Sequence, residues 1–370
     1  MVYKNLVFKG GGAKIFYSVG ALEEIAERGI LNDVERTAGV SAGAVLALLV
    51  AMDMDINEIK EFFLNFSLTE ELDRFDDIAE TERFFNHYGR YTGENLLSQL
   101  KALLEAKYGN PDITFQEMHD LGCKDVYIFV TDVISQQLVQ FSWLDTPNYS
   151  VASVVRASSS YPFYFVPVDG PNGELFVDGG LLDNYPLWIF DKPEFLPRPD
   201  LKYNPETLGI YLGKCGESST MWSHNDIKFM LKLFDGMNPG VISEKVNDLD
   251  YSQLFYKPDA QLDFLGYMIQ VINAGKEAPP KYHHPNFEGE ISISTDFVNS
   301  TGRQQSTFDL DVDWNVRMEL MGHGRNEAKK FFEAECSTGK VEYCYQLDYT
   351  MFDQDNAVSY QTDGLITVAA

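Results

Sequence analysis

The sequence predicts an α/β fold, a mainly parallel central sheet flanked by helices in layers, and two observations carry that expectation. Strand-like segments at 5–8, 35–38, 125–130, 138–141, 174–176 and 207–212 alternate with helical patterns at 14–28, 44–52, 95–108, 112–119 and 312–332. Alternation of this kind makes crossover connections, which lay helices over both faces of a parallel sheet. Two glycine clusters, Gly10-Gly11-Gly12 and Gly39-Val40-Ser41-Ala42-Gly43, stand where a strand hands over to a helix.

The first strand, Asn5-Leu6-Val7-Phe8, leads into the glycine triplet, and Lys14 opens a pattern with apolar residues at Ile15, Phe16, Val19, Leu22, Ile25 and Ala26. That spacing is one face of an amphipathic helix, and Gly29 ends it. N–H groups at a helix start have no intrahelical partners and sit at the positive end of the dipole, so the triplet is suited to receive an oxyanion. A phosphate-binding loop is the other use of such a turn. Both common nucleotide motifs need glycine at position 15, where Ile15 stands, so nucleotide binding is not expected.

The second cluster has the G-x-S-x-G form of a nucleophile elbow, in which a serine occupies a strained turn between strand and helix. Its flanks fit: 35–38 is a short strand-like lead-in, and 44–52 is an unbroken apolar run whose alanines and leucines favour helix. Ser41 is therefore the candidate nucleophile of an acyl hydrolase. One strand and one helix precede it, whereas several strands precede the elbow in α/β-hydrolases.

The serine needs a base. None of the histidines His87, His119, His224, His283, His284 and His323 lies in a local pattern that marks it as catalytic. Asp178 is the better candidate, because Gly179 and Gly180 after a strand-like 174–176 permit a tight turn that presents the carboxylate at a strand end. A carboxylate at its ordinary pKa of ~3.9 is a poor base for a hydroxyl; desolvation would strengthen it.

Four blocks in order carry a resemblance to a known family: Gly10-Gly11-Gly12-Ala13-Lys14; Gly39 to Gly43; Arg156-Ala157-Ser158 with Pro162, Phe165 and Pro167; and Asp178-Gly179-Gly180 with Asn184 and Pro186. The chain resembles the patatin-like phospholipases, the bacterial branch in particular. The resemblance covers about 1–335 and implies the three-layer fold of patatin and cytosolic phospholipase A2. It also implies a Ser41–Asp178 catalytic dyad, an oxyanion hole from the Gly10, Gly11 and Gly12 amides, and no metal or cofactor. Members commonly carry glycine where Ile15 stands, which leaves the individual oxyanion donors less defined than the dyad. Lys14, a cation in a first helical turn where the dipole disfavours it, is expected to meet a phosphate headgroup, to orient the loop or to be solvated.

The implied activity is cleavage of fatty-acyl esters of phospholipids or lysophospholipids. A non-phospholipid esterase or an acyltransferase would use the same dyad. An inactive binding module is the third class, and the intact Ser41, Asp178 and triplet argue against it.

Composition bounds the partners. The formal net charge of −27 is repelled by nucleic acid and by anionic membranes, so lipid would be met at a neutral surface or with help from a basic or membrane-bound activating protein. No apolar stretch approaches the ~20 residues of a membrane span, and 1–4 carry no signal-peptide pattern. The expectation is a cytoplasmic protein with peripheral membrane contact, or one exported by a signal-independent route. Cys123, Cys215, Cys336 and Cys344 read as ordinary thiols. Aromatic-rich 55–110 and 214–290 are candidate lid insertions; 336–370 is a tail outside the resemblance. Asp309-x-Asp311-x-Asp313 is rejected as a calcium loop, since Trp314 and Leu320 stand where its glycine and glutamate belong.

Overall fold

A computed structural model describes residues 2–66, 77–213, 289–307 and 312–338, together with positions 264, 267, 268, 270, 271 and 274. The chain runs β1 (Asn5–Phe8), α1 (Ile15–Glu27), β2 (Arg36–Gly39), α2 (Ala42–Ala51), α3 (Ile56–Asn65), α4 (Asp77–His87), β3 (Gly89–Tyr91), α5 (Glu94–Tyr108) and α6 (Phe115–Asp120). It continues β4 (Asp125–Asp132), β5 (Gln137–Phe141), α7 (Val151–Ser158), β6 (Phe163–Phe165), β7 (Val168–Asp169), β8 (Leu175–Asp178), β9 (Thr207–Leu212), β10 (Glu290–Ile293) and α8 (Trp314–Thr338). The sheet order is β10-β9-β1-β2-β4-β8-β7, with β5 also on β4. The five strands from β10 to β4 are parallel; β5, β7 and β8 pair antiparallel.

Side chains alternate across this sheet, as the period of two requires. Leu6, Phe8, Ile128, Val130, Leu208 and Ile210 enter the main core, where the helices pack. Val7, Tyr127, Phe129 and Tyr211 enter a second cluster on the other face. Among the described residues that cluster is completed by the segment carrying Tyr185, Leu187, Ile189 and Phe190, which includes a 3-10 turn at Leu187–Asp191.

Helix α2 is apolar all round and buried from Gly43 to Ala51, which suits an element packed against β1, β2 and α7. Helix α8 closes the same layer against α1, and its buried Arg317 donates to the Phe63, Leu64 and Phe66 carbonyls at 3.1, 2.9 and 2.6 Å. Those are the orphan acceptors at the end of α3, so the guanidinium caps that helix. Within the first candidate insertion, α3 therefore belongs to the main body, as does α5, which packs on α7. A satellite cluster joins Phe84 and Phe85 of α4 to Phe163, Phe165, Phe264 and Tyr267. The second candidate insertion, 214–290, lies outside the described residues except for the positions given and 289–290, as does the tail from 339.

Candidate active site

The register on β4 sets the site. Ile128 pairs with Gly39 of β2 and with Phe141 of β5; Val130 pairs with Asp178 of β8 and with Val139 of β5. A strand has two edges, so β2 and β8 share the one opposite β5. They approach head to head, β2 parallel to β4 and β8 antiparallel, and their carboxyl ends face each other across about two residues of β4, roughly 7 Å. Phe8, at the end of β1, pairs with Gly39. Three strand ends thus bring the glycine triplet, Ser41 and Asp178 to one crevice, the usual ligand position outside the carboxyl ends of a parallel sheet.

Ser41 is half-buried, with φ 57° and ψ −131°, a conformation that L residues rarely adopt and that costs about 1–3 kcal/mol. It stands between β2, which ends at Gly39, and α2, which starts at Ala42. The chain can bend so sharply because Gly43 passes close to β1: a Cβ there would lie 2.6 Å from the Phe8 carbonyl oxygen and 2.8 Å from that of Lys9. The Ser41 N–H donates to Ser158 Oγ at 3.0 Å.

Asp178 is 0 % exposed, and its satellite neighbours Val177 and Leu181 are apolar. Its Oδ1 accepts from the Gly180 N–H at 2.8 Å, within the 3-10 turn Gly179–Leu181. Oδ2 is buried and accepts no hydrogen bond among the described residues, although the Ser41 hydroxyl is near enough to favour the charged carboxylate. Burial dominates and pushes the carboxyl up to about 7, against the weaker pull of the Ser41 hydroxyl and the Gly180 amide. A carboxylate so raised is matched to proton transfer near neutral pH.

The triplet departs from its expected role at one residue. Gly10 does not offer its amide: its N–H donates to the Asn184 carbonyl at 3.0 Å, while Asn184 Nδ2 donates back to the Gly10 carbonyl at 3.1 Å. The N–H groups of Gly11 and Gly12 have no acceptor among the described residues, nor has that of Ala42 in the first turn of α2. Gly12 has φ 52°, and a Cβ there would lie 2.2 Å from the Thr307 carbonyl oxygen, which accepts the Ala13 N–H at 3.0 Å. The loop is thus held by Asn184 on one side and Thr307 on the other. Lys14 Nζ donates to Thr295 Oγ1 at 3.4 Å, just after β10. Ile15 has ordinary helical dihedrals and a buried side chain, so the residue that departs from the family pattern fits the first turn without strain.

The described histidines are held elsewhere. His119 Nδ1 lies 2.8 Å from Asp125 Oδ1 and its ring stacks on Trp143, but Asp125 begins β4 and Asp178 meets that strand near its other end. His323 Nε2 lies 3.1 Å from the Ser294 carbonyl. His87 ends α4, and positions 224, 283 and 284 are outside the described residues. Among the described residues no cluster of His, Cys, Asp or Glu could hold a metal ion, and no helix is long and apolar enough to cross a membrane.

A serine on a strained strand-to-helix elbow, beside a buried carboxylate and unengaged amides, is the equipment of acyl transfer. Residues 6–191 match the model of the patatin-like phospholipases, and the chain belongs to that family. An uncharacterized protein of Acanthamoeba polyphaga mimivirus is 32% identical over 195 residues, 51% of this chain and 61% of its own length. The uncharacterized protein YqhO of Bacillus subtilis is 28% identical over 217 residues, 53% of this chain and 69% of its own. Among solved structures, VipD from Legionella pneumophila aligns with a TM-score of 0.46 at 19% identity, over 90% of this chain and 67% of that one.

Proposed function

We propose that the protein is a serine lipid acyl hydrolase that cleaves fatty-acyl esters of phospholipids or lysophospholipids through Ser41 and Asp178. The observation that carries the reading is the pairing of a strained elbow serine with a fully buried carboxylate raised to about 7. Asp178 takes the proton of the Ser41 hydroxyl as Oγ attacks the ester carbonyl. The oxyanion of the tetrahedral intermediate is held by the Gly11 and Gly12 amides. Collapse breaks the bond to the alcohol, which leaves with the proton from Asp178, and acyl-Ser41 remains. Water then gives a proton to Asp178 and attacks the acyl carbon; collapse breaks the bond to Ser41 Oγ, which takes that proton back from Asp178 as the fatty acid leaves.

Histidine has no part in this scheme because burial supplies the basicity that a triad histidine otherwise provides. Family membership and the apolar surroundings of Asp178 support a lipid ester over a polar one. The acidic chain meets its lipid at a surface of low charge, or with an activating partner of opposite charge.

The test is a hydrolysis panel of phosphatidylcholine, lysophosphatidylcholine and triglyceride micelles, with a lipid fluorophosphonate as active-site label. Fatty acid released from the first two, together with label on Ser41, is the expected result. Failure of the fluorophosphonate to label Ser41 would overturn the reading.

A further inference from the structure

We propose that Ser158 is the positioning residue of the nucleophile: its hydroxyl holds the Ser41 main chain in the elbow, and the turn that carries it holds Asp178 as well. This rests on the reading of Ser41 and Asp178 as the reacting pair.

The direction of the two hydrogen bonds is fixed by chemistry. Ser158 Oγ lies 2.7 Å from the Phe129 carbonyl oxygen, which can only accept, so the hydroxyl proton is committed there. Its lone pairs are left for the Ser41 N–H, which can only donate, at 3.0 Å. Ser158 is fully buried, so water does not compete for either bond. Phe129 lies on β4 between Ile128, opposite Gly39, and Val130, opposite Asp178, so this carbonyl marks the gap between the two facing strand ends.

The other reacting group is tied to the same turn. The Asp178 N–H donates to the Ser160 carbonyl at 2.9 Å, two residues beyond the end of α7. Ser160 Oγ donates to the Arg156 carbonyl at 2.9 Å and receives the Arg156 guanidinium, whose other nitrogen donates to the Val166 carbonyl at 3.0 Å. Arg156 is itself buried. The end of α7 is therefore a common mount for the nucleophile and its base. Among the described residues its hydroxyl at Ser158 is the acceptor of the elbow amide, and together with the Ala44 N–H, which donates to the Ser41 carbonyl at 2.8 Å, it holds a serine at φ 57°.

Threonine and valine at position 158 separate the hydroxyl from packing, because they share a shape and differ in that group alone. Wild type, Ser158→Thr, Ser158→Val, Ser158→Ala, Ser41→Ala and Asp178→Asn are assayed on a soluble p-nitrophenyl ester across pH, with thermal unfolding in parallel. In folded Ser158→Val and Ser158→Ala, kcat should fall on the order of 10²-fold with KM within about twofold of wild type, as a misplaced reacting group requires. Ser158→Thr should keep kcat within about tenfold of wild type. The acidic limb of the pH profile should stay in place in all three, because the hydroxyl does not titrate. Equal kcat in folded Ser158→Thr and Ser158→Val, or a loss confined to KM, would overturn the proposal. If the two β-branched variants do not fold, Ser158→Ala decides, and wild-type kcat in it would be fatal. Retained hydrolysis by Ser41→Ala or Asp178→Asn would instead sink the dyad while leaving the Ser158 comparison readable.

Discussion

Gly39 and Asp178 end two strands that run toward each other along a single edge of β4, Gly39 opposite Ile128 and Asp178 opposite Val130. Sheet register therefore sets the gap across which the two strand ends face each other, and the elbow turn places Ser41 in it. Rigid elements hold a site more tightly than loops do.

Ser41→Ala is expected to abolish ester hydrolysis while the protein stays folded, since one partly buried oxygen is lost. Ser41→Gly should be as inactive and yet melt higher than Ser41→Ala, because glycine adopts φ 57° without the ~1–3 kcal/mol penalty. Scanning calorimetry of the two variants checks the order; a lower melting temperature for Ser41→Gly would show that the elbow stores no strain.

Asp178→Asn should lose nearly all activity, since the amide keeps the shape but cannot accept the serine proton. His119→Ala and His323→Ala should remain active, because those rings are engaged with Asp125 and the Ser294 carbonyl. A histidine variant as inactive as Asp178→Asn would make the enzyme a triad hydrolase.

The raised carboxyl links pH to both rate and stability. Hydrolysis of a soluble ester should fall as pH drops through about 7, where Asp178 becomes protonated. Because the folded value lies above the unfolded 3.8, the stability that Asp178 contributes is present below 3.8 and lost as pH rises through about 7. Asp178→Asn escapes that loss. It should match wild type in acid and exceed it above neutrality, by on the order of 4 kcal/mol at ~1.4 kcal/mol per pH unit. Denaturant unfolding of both proteins at several pH values measures the gap; a gap that does not widen with pH would show that Asp178 is not buried as a charge.

The elbow and the triplet were legible because their signals are local. Glycines at fixed offsets around a serine, between a strand-like and a helical segment, have few other uses. Asp178 was weaker, an Asp-Gly-Gly turn that gained meaning from the ordered blocks. What the sequence did not disclose depends on pairings between distant segments. Nothing near Gly10 says that Asn184 takes its amide, and nothing near Ser41 points to Ser158, 117 residues away. The cover of Val7, Tyr127, Phe129 and Tyr211 by the segment around Tyr185 and Phe190 follows the same logic: the pattern counted helices but carried no sign of which face each covers.

Under the proposed function, screening should matter for so acidic a chain at a lipid surface. With a net charge of −27, activity on anionic vesicles should rise as salt shortens the Debye length from ~30 Å at ~0.01 M to ~8 Å at ~0.15 M. Activity on neutral micelles should change little. Vesicle binding that weakens as salt is added would reveal a basic face around the crevice and reverse the inference.

Strand β1 carries the glycine loop and is flanked on its second edge by β9, while Thr307 holds the loop from beyond β10. During synthesis the loop and the elbow leave the ribosome before the segments that fix them, which follow roughly half a minute later at ~5–20 residues per second. Until then β1 is an unpaired edge and the oxyanion loop lacks one of its supports. The nascent chain therefore bears Ser41 long before the glycine loop beside it has both of its supports.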